Sequence, residues 1–255
     1  MSRLEDYKDR YRDIRFVRRD GVLEMAIHRD GGPALWDFVE GGLHDQLGRA
    51  FRDVGDDAEN RVVILTGTGD VFLTQMDYSA LPRPFVMTPE FWNRIQREGK
   101  ALLNNLLDIE CPIIGAVNGP AFLHAELVVM SDIVIASDRA IVADKSHMTI
   151  GAVPGDGVHV WWPLVLGPNR GRYFLLTGQE IEAQEALNLG IVSEVVAHDA
   201  LMDRAWALAL ELAKAPPLTL RYSRIAMTQD LKRRLLDDLG HGLALEGLAA
   251  LAKRS

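Results

Sequence analysis

Three apolar runs constrain this chain most: RVVILTGTG at 61–69, PIIGAVNGP at 112–120 and DIVIASD at 132–138. Each is short, has no polar alternation and ends at glycine or a polar turn residue. Such a run reads as a strand covered on both faces, as in a parallel sheet between helical layers. The intervening segments have helical periods. Between Phe38 and Val54, apolar residues recur at Leu43, Leu47, Ala50, Phe51 and Val54, and EFWNRIQREGKALLNNLLDIE at 90–110 repeats the pattern. Alternating strand and helix units imply an α/β core with mostly parallel pairing.

The opening IRFVRRDGVLEMAIHRD reads as two strands joined at Arg19-Asp20-Gly21, and RAIVADK at 139–145 as a strand adjacent to 132–138. The last third changes character. NRGRYFLLTGQEIEAQEALNLG is a helix stopped at Gly178 and a second helix from Glu182, and ALMDRAWALALELAKAPP is helical up to its proline pair. DLKRRLLDDLGHGLALEGLAALA is apolar on more than one face, which calls for a partner subunit or for folding back onto the core.

With 255 residues and 48% apolar composition, one large domain with an appendage is expected. A net charge of -8 opposes binding to nucleic acid, which needs clustered cations. Cys111 is the single cysteine and precludes an internal disulfide, which fits a reducing cytoplasm. The N-terminal MSRLEDYKDRYRD has no apolar leader and no apolar stretch reaches a membrane span, so a soluble, untargeted protein is expected.

No Walker loop, dinucleotide fingerprint, HExxH, CxxC or Gly-x-Ser-x-Gly elbow occurs, so neither a nucleotide cofactor nor serine hydrolysis is supported. Three strand-end regions remain as a site: Thr66–Tyr78, Asn118–Glu126 and His147–His159. In the second, NGPAFLHAEL brings His124 and Glu126 together, and His124 reads equally as a satisfied core histidine. In the third, His147 and Asp156 are joined through a turn at Val153-Pro154-Gly155 that is able to return the chain to one pocket. His124, His147, Asp156 and His159 are a set of metal-ligand types without compact spacing, and no metal is expected. His28, His44, His198 and His241 stand in charged or loop contexts and are assigned nothing.

VVILTGTGDVFLTQMD, IIGAVNGPAFLHAELVVMSDIVIAS, IGAVPGDG and GRYFLLTGQEIEAQEALNLGIVSEVV together resemble, in order, the landmarks of the crotonase (enoyl-CoA hydratase/isomerase) superfamily. The resemblance implies a spiral of ββα units over residues 1–197 and a C-terminal helical region over 198–255 that makes trimers, commonly paired into hexamers. It departs from the pattern where coenzyme A thioesters are held. Thr74-Gln75-Met76-Asp77 and Phe122-Leu123-His124-Ala125 replace the glycine features of the oxyanion hole, and His147 stands where hydratases carry a second acid.

The set is similar to the β-diketone hydrolase branch, that of 6-oxocamphor hydrolase, which hydrolyses a C–C bond without a cofactor. That likeness implies Trp36, His124, His147, Asp156 and Glu246 as catalytic residues, a small diketone as substrate, and Leu35, Phe122 and Leu123 as substrate contacts. In that scheme Glu246 orients His147 as the general base on water. His124 and Trp36 donate to the oxyanion. Asp156 protonates the enolate carbon, either as a neutral acid favoured by burial among Val153, Val158 and Trp161 or with a proton collected from the His147 side of the pocket. A CoA-thioester hydratase or isomerase, and a non-catalytic scaffold, are the alternatives.

Overall fold

The computed structural model describes residues 2–82 and 84–252. After the short helix α1 (Leu4–Tyr7), strands β1 (Ile14–Arg19) and β2 (Val22–Ile27) form an antiparallel hairpin with Ile14 opposite Ile27. Its turn residues Asp20 and Gly21 have φ of 52° and 78°. Two successive positive φ values give the backbone twist that a two-residue hairpin needs. The chain continues through β3 (Leu35–Trp36), α2 (Leu43–Asp56), β4 (Val62–Thr66), β5 (Gln75–Met76), α3 (Pro89–Asp108), β6 (Ile113–Val117), α4 (Glu126–Val129), β7 (Ile133–Ser137) and β8 (Ile141–Val142). The remaining elements are α5 (Val158–Leu166), α6 (Pro168–Thr177), β9 (Ile181–Glu182), α7 (Ala183–Asn188), β10 (Glu194–Val196), α8 (Leu201–Leu212) and α9 (Pro217–Ala252).

The main sheet has six strands in the order β1-β2-β4-β6-β7-β10, parallel except for the β1–β2 pair. Alternate residues serve opposite layers. Val63 and Leu65 of β4 join the core with α2, α3 and α9, whereas Val62 and Ile64 join Leu201, Ala205 and Ala209 of α8 on the other face. This two-sided burial is why the strands read as unbroken apolar runs. Each such aliphatic side chain stabilises the fold by roughly 1.5–3 kcal/mol when fully removed from water.

The strand expected over 139–145 is shorter and lies outside the main sheet. Only Ile141–Val142 pairs, antiparallel with β9. Its backbone is engaged elsewhere: Ala121 N–H donates to Ile141 O, and Ala143 N–H donates to Ala121 O. The final helix begins at Pro217, one of the proline pair, where a missing N–H costs nothing. It folds back on the core through Leu231, Leu235, Leu239 and Leu243. Buried Arg224 anchors it, donating to Asp132 Oδ2 at 2.7 Å and to the carbonyls of Leu107 and Ile109. Among the described residues no helix is long and apolar enough to cross a membrane.

Candidate active site

The carboxyl end of β6 is built by Asn118. Its amide donates to the carbonyls of Gly69 and Val71 at 2.7 and 2.8 Å, and its Oδ1 accepts Gly67 N–H at 3.2 Å. The chain then passes between two backbones: Phe122 and Leu123 N–H both donate to Leu73 O, at 2.9 and 3.1 Å. These two donors, in one of the segments that departs from the thioester pattern, are therefore committed to structure. His124 follows with φ of 48°, a left-handed conformation uncommon for a residue with a side chain. The ring lies against Trp36, centroids 3.9 Å apart and planes 30° from parallel. Glu126, the first residue of α4, is 3% exposed and accepts from His124 Nδ1 at 2.9 Å.

Trp36 is set by a buried ionic knot. Its carbonyl accepts Asp77 N–H at 2.7 Å, and Arg29 bridges Asp13, Asp37 and Asp77 at 2.8, 2.9 and 3.0 Å. Asp37 also accepts Leu43 N–H at the start of α2.

His147 follows β8 in the third strand-end region and is 3% exposed. Its Nδ1 contacts both oxygens of Asp144, at 2.8 and 2.9 Å, and Asp144 Oδ1 also accepts Ser146 N–H at 3.1 Å. Asp156 arrives on the VPGDG turn. Gly157 there has φ of 109°, and a Cβ on it would overlap Leu103. A Cβ on either Gly155 or Gly242 would overlap the carbonyl of the other, so the turn rests directly on α9.

Asp156 stands between the two imidazoles. Its Oδ2 lies 3.4 Å from His124 Nδ1 and its Oδ1 3.3 Å from His147 Nε2, the latter too poorly aligned for a hydrogen bond. Glu246 reaches the same point from α9; its donor atom, that of His147 and that of Asp156 all lie within 4.8 Å of one another. Glu246 Oε2 is buried and has no hydrogen-bond partner among the described residues.

This packing divides the protons unequally. Burial pulls the His147 imidazole down, but the facing carboxylates of Asp156 and Asp144 outweigh it and hold the ring well above its ordinary value. Burial likewise opposes, and Glu126 with Asp156 overcomes, the charge on His124, which is also raised. Asp156 is driven low: burial pushes it up, yet the attraction of His147 and His124 prevails. Glu246 is pushed up to about 8, first by burial and then by the neighbouring Asp156 carboxylate.

Trp36, His124, His147, Asp156 and Glu246 line one cavity of about 470 Å³ whose remaining wall is largely apolar, with Phe38, Met76, Phe85, Trp92, Ile95 and Leu243. The structure thus brings Trp36, His124, His147, Asp156 and Glu246 together. It does not bring Leu35, Phe122 or Leu123 to that wall. His159 turns away and contacts Asp238 O at 3.3 Å. One expectation is corrected in detail, and for Asp156 one of the two open routes is favoured. The partner of His147 Nδ1 is Asp144, not Glu246, because the carboxylate three residues earlier folds under the ring. Asp156 is a carboxylate in the resting site, because its two imidazole neighbours outweigh its burial.

Sequence reasoning missed Asp144, whose only signal is the Asp-x-x-His spacing in DKSH. It gave Glu126 no role and assigned nothing to His44. His44 is 6% exposed, lines the cavity, packs edge-on to Trp36 at 5.4 Å and pairs with Glu98 at 3.1 Å. Two triplets, His124/Glu126/Asp156 and His147/Asp156/Glu246, have donor atoms close enough for a divalent cation. The contacts of Glu126 with His124 and of Asp144 with His147 have the lengths of charge-assisted hydrogen bonds, and we describe the cluster as a proton-sharing one.

Comparison with known proteins agrees with this architecture. The enoyl-CoA hydratase/isomerase family model matches residues 18–244. A carnitinyl-CoA dehydratase from Citrobacter koseri is 32% identical over 209 residues, 81% of this chain and 77% of that protein. The solved structure of a β-diketone hydrolase from the cyanobacterium Anabaena sp. PCC 7120, bound to (S)-3-oxocyclohexyl acetic acid, superposes with a TM-score of 0.93 at 45% identity, covering 98% of each chain. An enoyl-CoA hydratase/isomerase from Mycobacterium paratuberculosis gives 0.87 at 26% identity, covering 96% of each. The chain, with its largely parallel sheet and long final helix, belongs to the enoyl-CoA hydratase/isomerase family.

Proposed function

We propose that this protein hydrolyses the C–C bond between the carbonyls of a cyclic 1,3-diketone, giving a keto acid without coenzyme A. The observation that carries the reading is Asp156 lying between His147 Nε2 and His124 Nδ1 at the polar end of an apolar cavity. The likeness to the Anabaena β-diketone hydrolase, which binds a cyclic keto acid, supports the same chemistry.

The His147–Asp156 pair shares one proton, and its position decides what each group can do. On His147 the pair is imidazolium and carboxylate, the resting form. Shifted to Asp156, the same proton leaves a neutral imidazole base beside a carboxylic acid. From that form His147 removes a proton from water as hydroxide adds to one carbonyl. Protonated Glu246, a donor at neutral pH, stabilises the attacked oxygen. As the tetrahedral intermediate collapses, the C–C electron pair becomes an enolate whose oxygen is held by donors from His124 and Trp36. Asp156 then protonates the enolate carbon. The pair ends as imidazolium and carboxylate, its resting form.

Phe38, Phe85 and Trp92 on the wall suit an alicyclic skeleton. We further read the exposed apolar side chains of α9, Tyr222, Met227, Leu236 and Leu248, as contacts in a homotrimer or dimer of trimers. The buried free thiol of Cys111 suits a reducing cytoplasm. The deciding experiment incubates the protein with a bicyclic 1,3-diketone in the absence of coenzyme A, and separately with crotonyl-CoA. Loss of diketone absorbance and formation of one keto acid is the expected result. Turnover of the thioester alone would replace this reading with a hydratase, for which buried Glu126 is the available acid.

A further inference from the structure

Four carboxylates surround the two histidines, but only Asp156 and Glu246 line the cavity. Asp144 and Glu126 stand behind the rings, each already bound by an imidazole Nδ1. Glu246 is pushed up to about 8 by burial and by Asp156, so it is not the base at neutral pH. Asp156 is the one remaining: a carboxylate facing an apolar cavity, with Oδ1 free of hydrogen bonds and a histidine on either side.

An acid that has just protonated a carbon is the conjugate base of the reverse step. Asp156, His124 and Trp36 line one cavity, with Asp156 Oδ2 3.4 Å from His124 Nδ1, and together supply the base and the oxygen donors that enolisation of a ketone needs. We propose that this cavity also catalyses enolisation of cyclic monoketones, exchanging an α-hydrogen with solvent.

In the forward step the Asp156 carboxylate takes an α-proton from the ketone. The C–H electron pair becomes the C=C bond of the enolate, and the carbonyl π pair moves to oxygen, where His124 and Trp36 donate. The acid so formed exchanges its proton with solvent at the cavity mouth and returns one to the same carbon. No co-reactant is consumed, and in D₂O the product is the same ketone carrying deuterium. The inference rests on the diketone-hydrolase reading for the orientation of the carbonyl, but it needs no water attack and no C–C cleavage.

The test is cyclohexanone in D₂O with the intact protein at neutral pH, followed by loss of the α-CH proton signal and gain of mass. A bicyclic 1,3-diketone is assayed in parallel. Expected is exchange faster than buffer alone by roughly 10²-fold, the usual scale of a positioned acid–base group. Asp156→Asn should return it to the buffer rate and His124→Gln should lower it at least about tenfold, with melting curves verifying that both variants fold. Wild-type-rate exchange in Asp156→Asn overturns the proposal. Exchange at the buffer rate by protein that cleaves the diketone overturns it and leaves the hydrolase reading standing. Exchange without diketone cleavage supports enolisation and removes the hydrolase reading; absence of both overturns both.

Discussion

Asp144 accepts the Nδ1–H of His147 through both carboxylate oxygens, at 2.8 and 2.9 Å. With that nitrogen committed, Nε2 is the one left to face Asp156 at 3.3 Å. One carboxylate thus sets the ring's tautomer and direction, and another faces it on the far side.

Asp144→Asn should lower kcat by on the order of 10²–10⁴, as loss of the orienting carboxylate does in hydrolytic triads, with little change in KM. His147 is faced by Asp144 from its own loop, Asp156 from the glycine turn, Glu246 from α9, and the His124–Glu126 pair. Removing one negative neighbour lowers the imidazole from its raised position, so the alkaline limb of the pH–rate profile, where the His147–Asp156 pair loses its proton, should move to lower pH. A pH-independent loss of rate would make Asp144 merely a packing residue.

Glu246→Gln tests the buried carboxyl by stability. In the folded protein Glu246 keeps its proton up to about pH 8, whereas unfolded it loses it near the ordinary 4.5. Between those values the unfolded state binds fewer protons, so this group makes stability fall as pH rises. The glutamine variant lacks that penalty. Relative to wild type it should gain stability from pH 5 to pH 9, by at most about 3–5 kcal/mol. Urea denaturation at the two pH values measures the difference.

Arg29→Ala strips the cation from buried Asp13 and Asp37 and from partly buried Asp77. Arg12 remains 2.8 Å from Asp13 and 3.8 Å from Asp37, so the loss should stay below the about 3–5 kcal/mol of a buried carboxylate left wholly unpaired. Chemical denaturation should show that loss. In protein that still folds, the stacking of Trp36 on His124 should loosen, visible as a change in indole fluorescence.

Gly242→Ala inserts a methyl group against Gly155 O and the His159 ring. Neither the backbone nor the ring in its packed position gives way cheaply, and overpacking of this kind costs about 1–3 kcal/mol. Glu246 lies one helical turn on, so activity should fall further than stability implies. The comparison of kcat with melting temperature separates the two effects.

Much of the fold was legible in the chain itself. The three apolar runs, the helical periods of 38–54 and 90–110, the Asp20-Gly21 turn and the Gly178 stop all appear near their expected positions, because each is a local matter of period or of backbone φ. The strand at 139–145 was overestimated because Ala121 competes for its backbone, a partner far away in sequence. Within the site, His124, His147 and Asp156 were singled out at strand ends, Trp36, Glu246 and the five roles came from family likeness, and the structure places these residues around one cavity.

Sequence alone determined the sheet, its helical cover and the supply of two histidines and four acids, since apolar period and residue type are properties of the chain. Tertiary structure decided which acid meets which imidazole, and hence where the protons rest. Asp144 and Glu126 are bound behind the rings, Asp156 is held as a carboxylate between them, and Glu246, 90 residues beyond Asp156, keeps a proton. Charge in such a cluster depends on burial and on separations of a few ångströms. Those are set by where α9 and the glycine turn pack, and linear spacing carries no record of them.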